Sequence, residues 1–146
     1  MSGPPPWGGQ VVIADASAWS RSGQPQVSEP WANALRAGRI AVCSIVKLEL
    51  LYVACDHASV LDFEALLAPL RDVPVTASVQ RAAIAAVRDL AAIGPFHHRV
   101  PVADVLIAAA AQEAGIGVLH YDHHYDRLAD VLAFESRWLA PSGALD

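Results

Sequence analysis

The fold is decided by the stretch Val11-Val12-Ile13-Ala14-Asp15-Ala16-Ser17 near the amino end of the chain. Four apolar residues in a row, without alternating polar ones, predict a strand that is buried on both faces, as in a parallel sheet. Asp15 follows at the carboxyl end of this strand, and the residues from Ser17 onward can begin a short helix. The stretch therefore predicts the opening of an α/β fold, with an acid at the sheet edge where such folds bind ligands.

Strands and helices alternate along the rest of the chain. The further predicted strands or extended segments span residues 39–43, 73–76, 117–121 and 133–139. The further predicted helices span residues 30–36, 45–55, 57–70, 79–93, 101–114 and 123–132. Ser44 and Ser78 are expected to cap the helices that follow them, and Pro74 places its segment at a sheet edge. This order predicts the α/β class, as a three-layer α/β/α sandwich with a mainly parallel central sheet.

The chain has the size and composition of one folded domain. Its 146 residues are 54% hydrophobic and 17% charged, which excludes a disordered chain. A flexible N-terminal tail is predicted for residues 1–10, the folded domain for residues 11–140 and a C-terminal tail for residues 141–146. Cys43 and Cys55 are expected to be free, buried thiols. Because no membrane span and no secretory signal are visible, the sequence predicts a cytoplasmic protein without a membrane partner.

Two carboxylates stand at strand ends. Asp15 and Asp122 both follow buried-type strands, so both are predicted at the carboxyl edge of one sheet. Each could instead cap the next helix or begin a turn, since aspartate is common after strands. Two acids at one edge favour a shared site over two unrelated caps.

Two more carboxylates stand on predicted helices among apolar residues. Glu49 falls in line with Ile45 and Tyr52, at a place where glutamate is seldom buried unless it is paired. It could instead border the apolar stripe and reach solvent. Asp104 shares a helix face with Ile107, but it also lies in a first helical turn, where the helix dipole favours an acid. Both residues are therefore candidates for the same site.

Four carboxylates brought together would repel one another. Two unit charges about 4 Å apart cost about 4 kcal/mol at an effective dielectric of about 20. Such a cluster is stable if it holds a cation or if a carboxyl stays protonated. Ligands that are all oxygen favour Mg²⁺ or Mn²⁺ over zinc. Water on such an ion suits phosphodiester hydrolysis, because the metal lowers the pKa of the water and neutralises charge on the phosphate.

Four short motifs occur in a fixed order between residues 11 and 139. They are residues 12–17 (VIADAS), residues 44–50 (SIVKLEL), residues 102–108 (VADVLIA) and residues 119–122 (LHYD) followed by Tyr125, Leu128 and Ala129. With these motifs the sequence resembles the PIN-domain endoribonucleases, in particular the VapC-type toxins of toxin–antitoxin pairs. The resemblance implies a PIN-like nuclease domain, RNA cleavage that leaves 5′-phosphate and 3′-hydroxyl ends, a cognate antitoxin that folds over an acidic groove, and a homodimer.

The resemblance also implies roles for individual residues. It assigns the catalytic and metal-binding roles, with Mg²⁺ or Mn²⁺ as cofactor, to Asp15, Glu49, Asp104 and Asp122. Ser17 and Ser44 would hydrogen-bond these carboxylates or waters on the metal. His124 stands where such toxins often carry another aspartate, and it could ligate Mn²⁺, contact phosphate or have no role. Lys47 and Arg99 lie close in sequence to two of the acids and are expected to contact phosphate.

The substitution at His124 leaves an alternative open, a non-catalytic PIN-like module that binds RNA or protein. A phosphoacceptor receiver domain is a third interpretation, but the chain lacks the acidic pair and the lysine that it requires. Zinc is disfavoured because adjacent histidines point apart and no cysteine lies at finger spacing. The net charge of −5 argues against nucleic acid, yet setting the four acids aside leaves 11 acidic and 10 basic residues, a nearly neutral remainder.

The remaining polar and aromatic residues receive ordinary assignments. Trp19, Trp31 and Tyr125 could stack on unpaired bases, although their helical spacing is more typical of a core. Asp126 is expected at the surface, and the histidines are expected in exposed loops.

Overall fold

A central parallel sheet organises the chain. The computed structural model describes residues 3–146. In this part of the chain the sheet has five strands in the order β3-β2-β1-β4-β5, all paired in parallel. The strands are β1 (Val12–Ala14), β2 (Ile40–Cys43), β3 (Arg71–Val73), β4 (Gly117–His120) and β5 (Ser136–Trp138). The predicted α/β sandwich is thereby confirmed.

Helices connect the strands and cover the sheet. They are α1 (Ala16–Arg21), α2 (Ser28–Arg36), α3 (Ser44–Tyr52), α4 (His57–Leu67), α5 (Ala77–Ile93), α6 (Val102–Ala114) and α7 (His124–Leu128). The helix predicted for residues 123–132 is shorter, because turns take over after Leu128. No helix among residues 3–146 is long and apolar enough to cross a membrane.

Strand β1 lies at the point where the strand order reverses. β2 and β3 lie to one side of it, and β4 and β5 lie to the other. Ala14 at the end of β1 pairs with Leu119 of β4, and the Asp15 N–H donates to the Leu119 carbonyl at 3.0 Å. The carboxyl ends of β1 and β4 therefore lie side by side, which is where open α/β sheets form their ligand crevice.

Helix α6 carries the alanine-rich segment that dominates the composition. Its residues 107–111, Ile107 followed by four alanines, are all fully buried. Side chains this small allow the helix to lie close to the elements on either side, and it packs on α5 as well as on β1 and β4. The first turn of α6, which contains Asp104, is held in place by this packing.

Three local expectations are wrong. Ser44 does not cap α3, because the helix begins at Ser44 itself and the capping position falls on Cys43. Ser78 does not cap α5, because Thr76 takes that place and its Oγ1 accepts the Val79 N–H at 3.1 Å. Strand β3 ends before Pro74, which has no N–H to donate, although it is the edge strand as expected.

The two cysteines and the chain ends also differ from simple expectation. Cys43 is buried, but Cys55 is exposed, and both are free thiols. Trp7 is only 4% exposed, and the Leu145 N–H donates to the Tyr121 hydroxyl at 2.8 Å. Within the described residues, both terminal segments thus place side chains against the core. The predicted domain limits at residues 11 and 140 stay a prediction.

We expect the substitution Ala109→Leu in α6 to destabilise the protein by about 1–3 kcal/mol, because the extra atoms have no space in a closely packed layer. Chemical denaturation followed by circular dichroism measures the free energy of unfolding. The same change at Ala92, which is exposed on α5, is the matched control and should have little effect. Equal stability of the two variants would show that α6 does not need its small side chains.

Candidate metal centre

Asp15 is buried directly after β1, with only 5% of its surface exposed. Its Oδ1 accepts hydrogen bonds from the Ser17 hydroxyl at 2.6 Å and from the Ala18 N–H at 3.2 Å, so it also caps α1. The Ser17 hydroxyl in turn accepts the Tyr121 N–H at 2.8 Å. Ser17 therefore joins the Asp15 carboxylate to the end of β4.

Asp104 and Asp122 meet at His124. Asp104 is 8% exposed in the first turn of α6, and its Oδ2 lies 3.2 Å from the His124 Nδ1. The same Nδ1 lies 2.9 Å from the Asp122 Oδ1, which also accepts the His124 N–H at 3.0 Å. Ligand atoms of the three residues all lie within 4.8 Å of one another. Two carboxylates and one imidazole thus offer donors to a single cation.

The charges of the acids act on one another. Burial, followed by the charges of Asp15 and Asp122, raises the pKa of Asp104 to about 6. Burial also raises the pKa of Asp15, against the hydrogen bonds from Ser17 and Ala18 that lower it. The pKa of Glu49 is raised as well, first by burial and then by the charge of Asp15. The four acids predicted from the sequence therefore form one electrostatic group, although Asp15 and Glu49 lie outside the tight cluster.

Glu49 stands on an apolar face that is not part of the core. Tyr52 and Leu48 beside it are 88% and 63% exposed, so this part of the stripe is open to solvent. A shallow apolar groove runs along this face, lined by Ala16, Ile45, Leu48, Glu49, Tyr52 and Val53. Helical periodicity found the stripe, but it could not tell a core contact from an open groove.

His120 and Tyr125 support the cluster, a role that the sequence analysis did not predict for either residue. His120 is fully buried, in contrast to the exposed position expected for a histidine. Its Nδ1 accepts the Asp122 N–H at 3.1 Å, and its Nε2 lies 2.7 Å from the Ser136 hydroxyl. Its ring stacks on Tyr125 with centroids 4.7 Å apart, and the Tyr125 hydroxyl donates to the Asp104 Oδ1 at 3.2 Å.

His120 is held neutral and in one tautomer. Burial lowers the pKa of its imidazole to about 4. Because Nδ1 accepts, the proton lies on Nε2 and is donated to the Ser136 hydroxyl, which donates to the Asp126 Oδ1 at 2.8 Å. The sequence contained a signal for the burial of His120, which continues the apolar run of β4, but none for its hydrogen-bond partners.

Comparison with known proteins agrees with this architecture. The family model of the PIN domain matches residues 12–131. The chain belongs to the PIN-domain family. Within it, the chain is 40% identical over 139 residues to Ribonuclease VapC18 of Mycobacterium tuberculosis, covering 92% of this chain and 99% of that protein. It is 33% identical over 134 residues to Ribonuclease VapC51 of the same organism, covering 92% and 96%.

Solved structures share the fold of this PIN domain. A DNA-bound VapBC from Salmonella typhimurium superposes with a TM-score of 0.68 at 17% identity, over 87% of this chain and 98% of that one. VapBC-5 from Mycobacterium tuberculosis, a toxin–antitoxin family member, superposes with a TM-score of 0.61 at 23% identity, over 86% and 96%. The resemblance found in the sequence is confirmed.

Other residues singled out in the sequence lie apart from the acids of the PIN domain. Ser44 is exposed and, among the described residues, makes no hydrogen bond to a carboxylate of the cluster. The Lys47 ammonium pairs with Asp72 at 3.2 Å. Asp126 is exposed, as expected. Trp19 and Trp31 are buried edge to face at 4.8 Å, which is the core alternative.

We expect Asp104→Asn to stabilise the metal-free PIN domain. The folded state holds the Asp104 proton up to about pH 6, above the ordinary value of 3.8. Stability is therefore lost as the pH rises from the unfolded to the folded pKa, and a neutral side chain escapes that loss. A shift of this size corresponds to roughly 3 kcal/mol at neutral pH.

Denaturant unfolding in a chelator, repeated from about pH 4 to neutrality, measures this effect. The gain should be present at neutral pH and absent at the acidic end. Asp89→Asn, an exposed position on α5, is the control and should change neither value. A lower stability of Asp104→Asn at neutral pH would contradict the electrostatic account.

Proposed function

We propose that this chain is a metal-dependent endoribonuclease toxin of the VapC type, which hydrolyses RNA phosphodiester bonds and is neutralised by a cognate antitoxin. The observation that carries the proposal is the convergence of Asp104, Asp122 and His124 within 4.8 Å at the carboxyl edge of a PIN-domain sheet. The relatives named ribonucleases, with 40% and 33% identity, support the reaction class.

The donors fit a divalent cation. The carboxylates repel one another, and the pKa of Asp104 is raised to about 6. A bound cation offsets this repulsion. The set is two carboxylate oxygens and one imidazole nitrogen, so it differs from the all-oxygen set predicted from the acids alone. We assign Mg²⁺ or Mn²⁺ to it, and Asp15 and Glu49 complete the acidic group around them.

The acidic residues and Ser17 each have a definable task in this reaction. A bound metal supplies a water of lowered pKa and neutralises charge on the phosphate. Asp104, Asp122 and His124 would hold the ion. Ser17 orients the Asp15 carboxylate by the 2.6 Å hydrogen bond. Glu49 is half-buried with a raised pKa, so its carboxylate is suited to take up a proton.

Three further residues are assigned contacts to water or to the phosphate of the substrate. We propose that Ser44 contacts a water and that Lys47 contacts phosphate. Neither side chain contacts the acidic group in the structure. Arg99 is exposed on the loop before α6 and is available to phosphate. These assignments are secondary to the cluster itself.

The partner proposal concerns the groove beside Glu49. Solved structures with this fold are toxin–antitoxin complexes, and an antitoxin needs an apolar surface close to the acids that it covers. The groove with the exposed Leu48 and Tyr52 offers such a surface. We assign the antitoxin to it, and we retain a homodimer as an expectation from the family and a cytoplasmic location as an expectation from the sequence.

A non-catalytic PIN-like module is the alternative, favoured only by a histidine at position 124. The two functions differ in their need for metal. A catalytic domain must bind Mn²⁺ or Mg²⁺ and cleave RNA with it, whereas a binding module need do neither.

We expect the purified protein to cleave single-stranded RNA with Mn²⁺ or Mg²⁺, leaving 5′-phosphate ends. Asp104→Asn and Asp122→Asn should reduce cleavage to the level seen with chelator, because each removes a ligand of the cluster. Asp89→Asn should cleave like the wild type. Equal cleavage by wild type and Asp104→Asn would reject the assigned site, and metal binding without any cleavage would favour the alternative.

Substitutions at His120 should separate positioning from packing. His120→Asn keeps an acceptor near the place of Nδ1, whereas His120→Gln places its amide near Nε2 and leaves the Asp122 N–H without its partner. We expect about a tenfold to hundredfold loss of Mn²⁺ affinity in His120→Gln and a smaller loss in His120→Asn, by calorimetry. Asn leaves the larger empty space of the two, so a greater loss in His120→Gln cannot come from packing, and an equal or smaller loss in His120→Gln would mean that only packing matters.

A further inference from the structure

The loop between α5 and α6, residues 94–101, displays an aromatic ring in an unusual backbone conformation. Phe96 has a φ of 61°, and it is the one non-glycine residue with positive φ in the described chain. Bulky side chains seldom adopt this left-handed region. The ring is nevertheless 61% exposed, so burial in the core does not explain it. Conformations of this kind concentrate where a side chain meets a ligand.

Arg99 covers one side of this ring. Its guanidinium carbon lies 4.1 Å from the centroid of Phe96, a cation–π contact. The Arg99 N–H donates to the Phe96 carbonyl at 3.0 Å, so the turn itself brings the two side chains together. Both residues are exposed. The pair is a flat aromatic surface backed by a positive charge and open to solvent.

The loop is attached to the candidate metal centre at two points. It runs directly into α6, whose first turn contains Asp104. Arg127 of α7 also donates to the His97 carbonyl at 3.3 Å, and α7 begins at His124. The loop that carries Phe96 is therefore anchored to the two helices that carry Asp104 and His124.

The charge of the loop fits an anionic ligand. Residues 94–101 (GPFHHRVP) contain one arginine, two histidines and no acid, in a chain whose net charge is −5. Unpaired bases stack on aromatic rings and on guanidinium planes, and the sugar–phosphate backbone pairs with nearby cations. A purely apolar partner surface would leave the charge of Arg99 without a counter-charge.

We propose that Phe96 and Arg99 form a stacking site for an unpaired base of an RNA strand whose phosphodiester lies at the acidic cluster. The site rests on the proposed ribonuclease function and adds a place where the substrate strand is gripped. It also favours single-stranded over duplex RNA, because a paired base has no free face to offer.

The test measures RNA affinity in the full chain with Asp104→Asn, so that cleavage does not interfere. The probe is a fluorescein-labelled oligouridylate, and anisotropy gives its Kd, with the matched RNA duplex as second probe. Phe96→Ala and Phe96→Leu should each weaken binding of the single strand about tenfold, the usual scale for loss of one stacked base. Phe96→Trp should bind at least as tightly as Phe96. All of these variants keep a β-carbon, so they share the same backbone conformation.

Controls separate this site from the function on which it rests. Leu61→Ala, a 51% exposed apolar residue on α4, should leave RNA affinity unchanged, and so should every Phe96 variant with the duplex. Single-strand affinity that is the same for Phe96 and Phe96→Ala would overturn the stacking site while leaving the ribonuclease intact. A change of oligomeric mass in Phe96→Ala at constant RNA affinity would assign the ring to a protein interface instead, and failure of any form to bind RNA would overturn the function itself.

Discussion

The chain holds carboxylates close together against their own repulsion, and much of the structure serves that requirement. Asp15 and Asp104 are both nearly buried, and the charge of one raises the pKa of the other. On a flexible backbone the two carboxylates would move apart. The parallel pairing of β1 with β4 fixes one carboxylate and the packing of α6 fixes the other. The energy stored in their repulsion becomes affinity for a cation.

Hydrogen bonds behind the acids convert this proximity into a defined geometry. Ser17 ties the Asp15 carboxylate to the end of β4, and Tyr125 holds one oxygen of Asp104. His120 stacks on Tyr125 and binds the Asp122 N–H, so a single buried ring touches the supports of two acids. Polar groups in such positions fix the orientation of ligands, and they matter almost as much as the ligands themselves.

The sequence was informative wherever a residue conflicted with its surroundings. Apolar runs located β1, β2 and β4, and Asp104 was visible as an acid on an apolar helix. The pattern could not show which surfaces a neighbour covers, so it aligned Glu49 with Tyr52 without showing that Tyr52 is 88% exposed. It also missed His120, since a histidine in an apolar run gives no sign of the groups that its two nitrogens will meet. Capping failed for a smaller reason, because Thr76 and Ser78 are equally suited to cap α5 and helix starts shift by a residue or two.

The alanine layer of α6 has a thermodynamic consequence as well as a steric one. Alanine has no side-chain rotamers to lose, so docking this helix costs backbone entropy but almost none from the buried face. A face of long side chains would leave several packing solutions of similar energy, and each would set the first turn of the helix at a slightly different height. The four alanines at 108–111 are fully buried and have no alternative rotamers. The acid in that first turn is therefore in position before any ion arrives, and little of the binding energy has to be spent on ordering it.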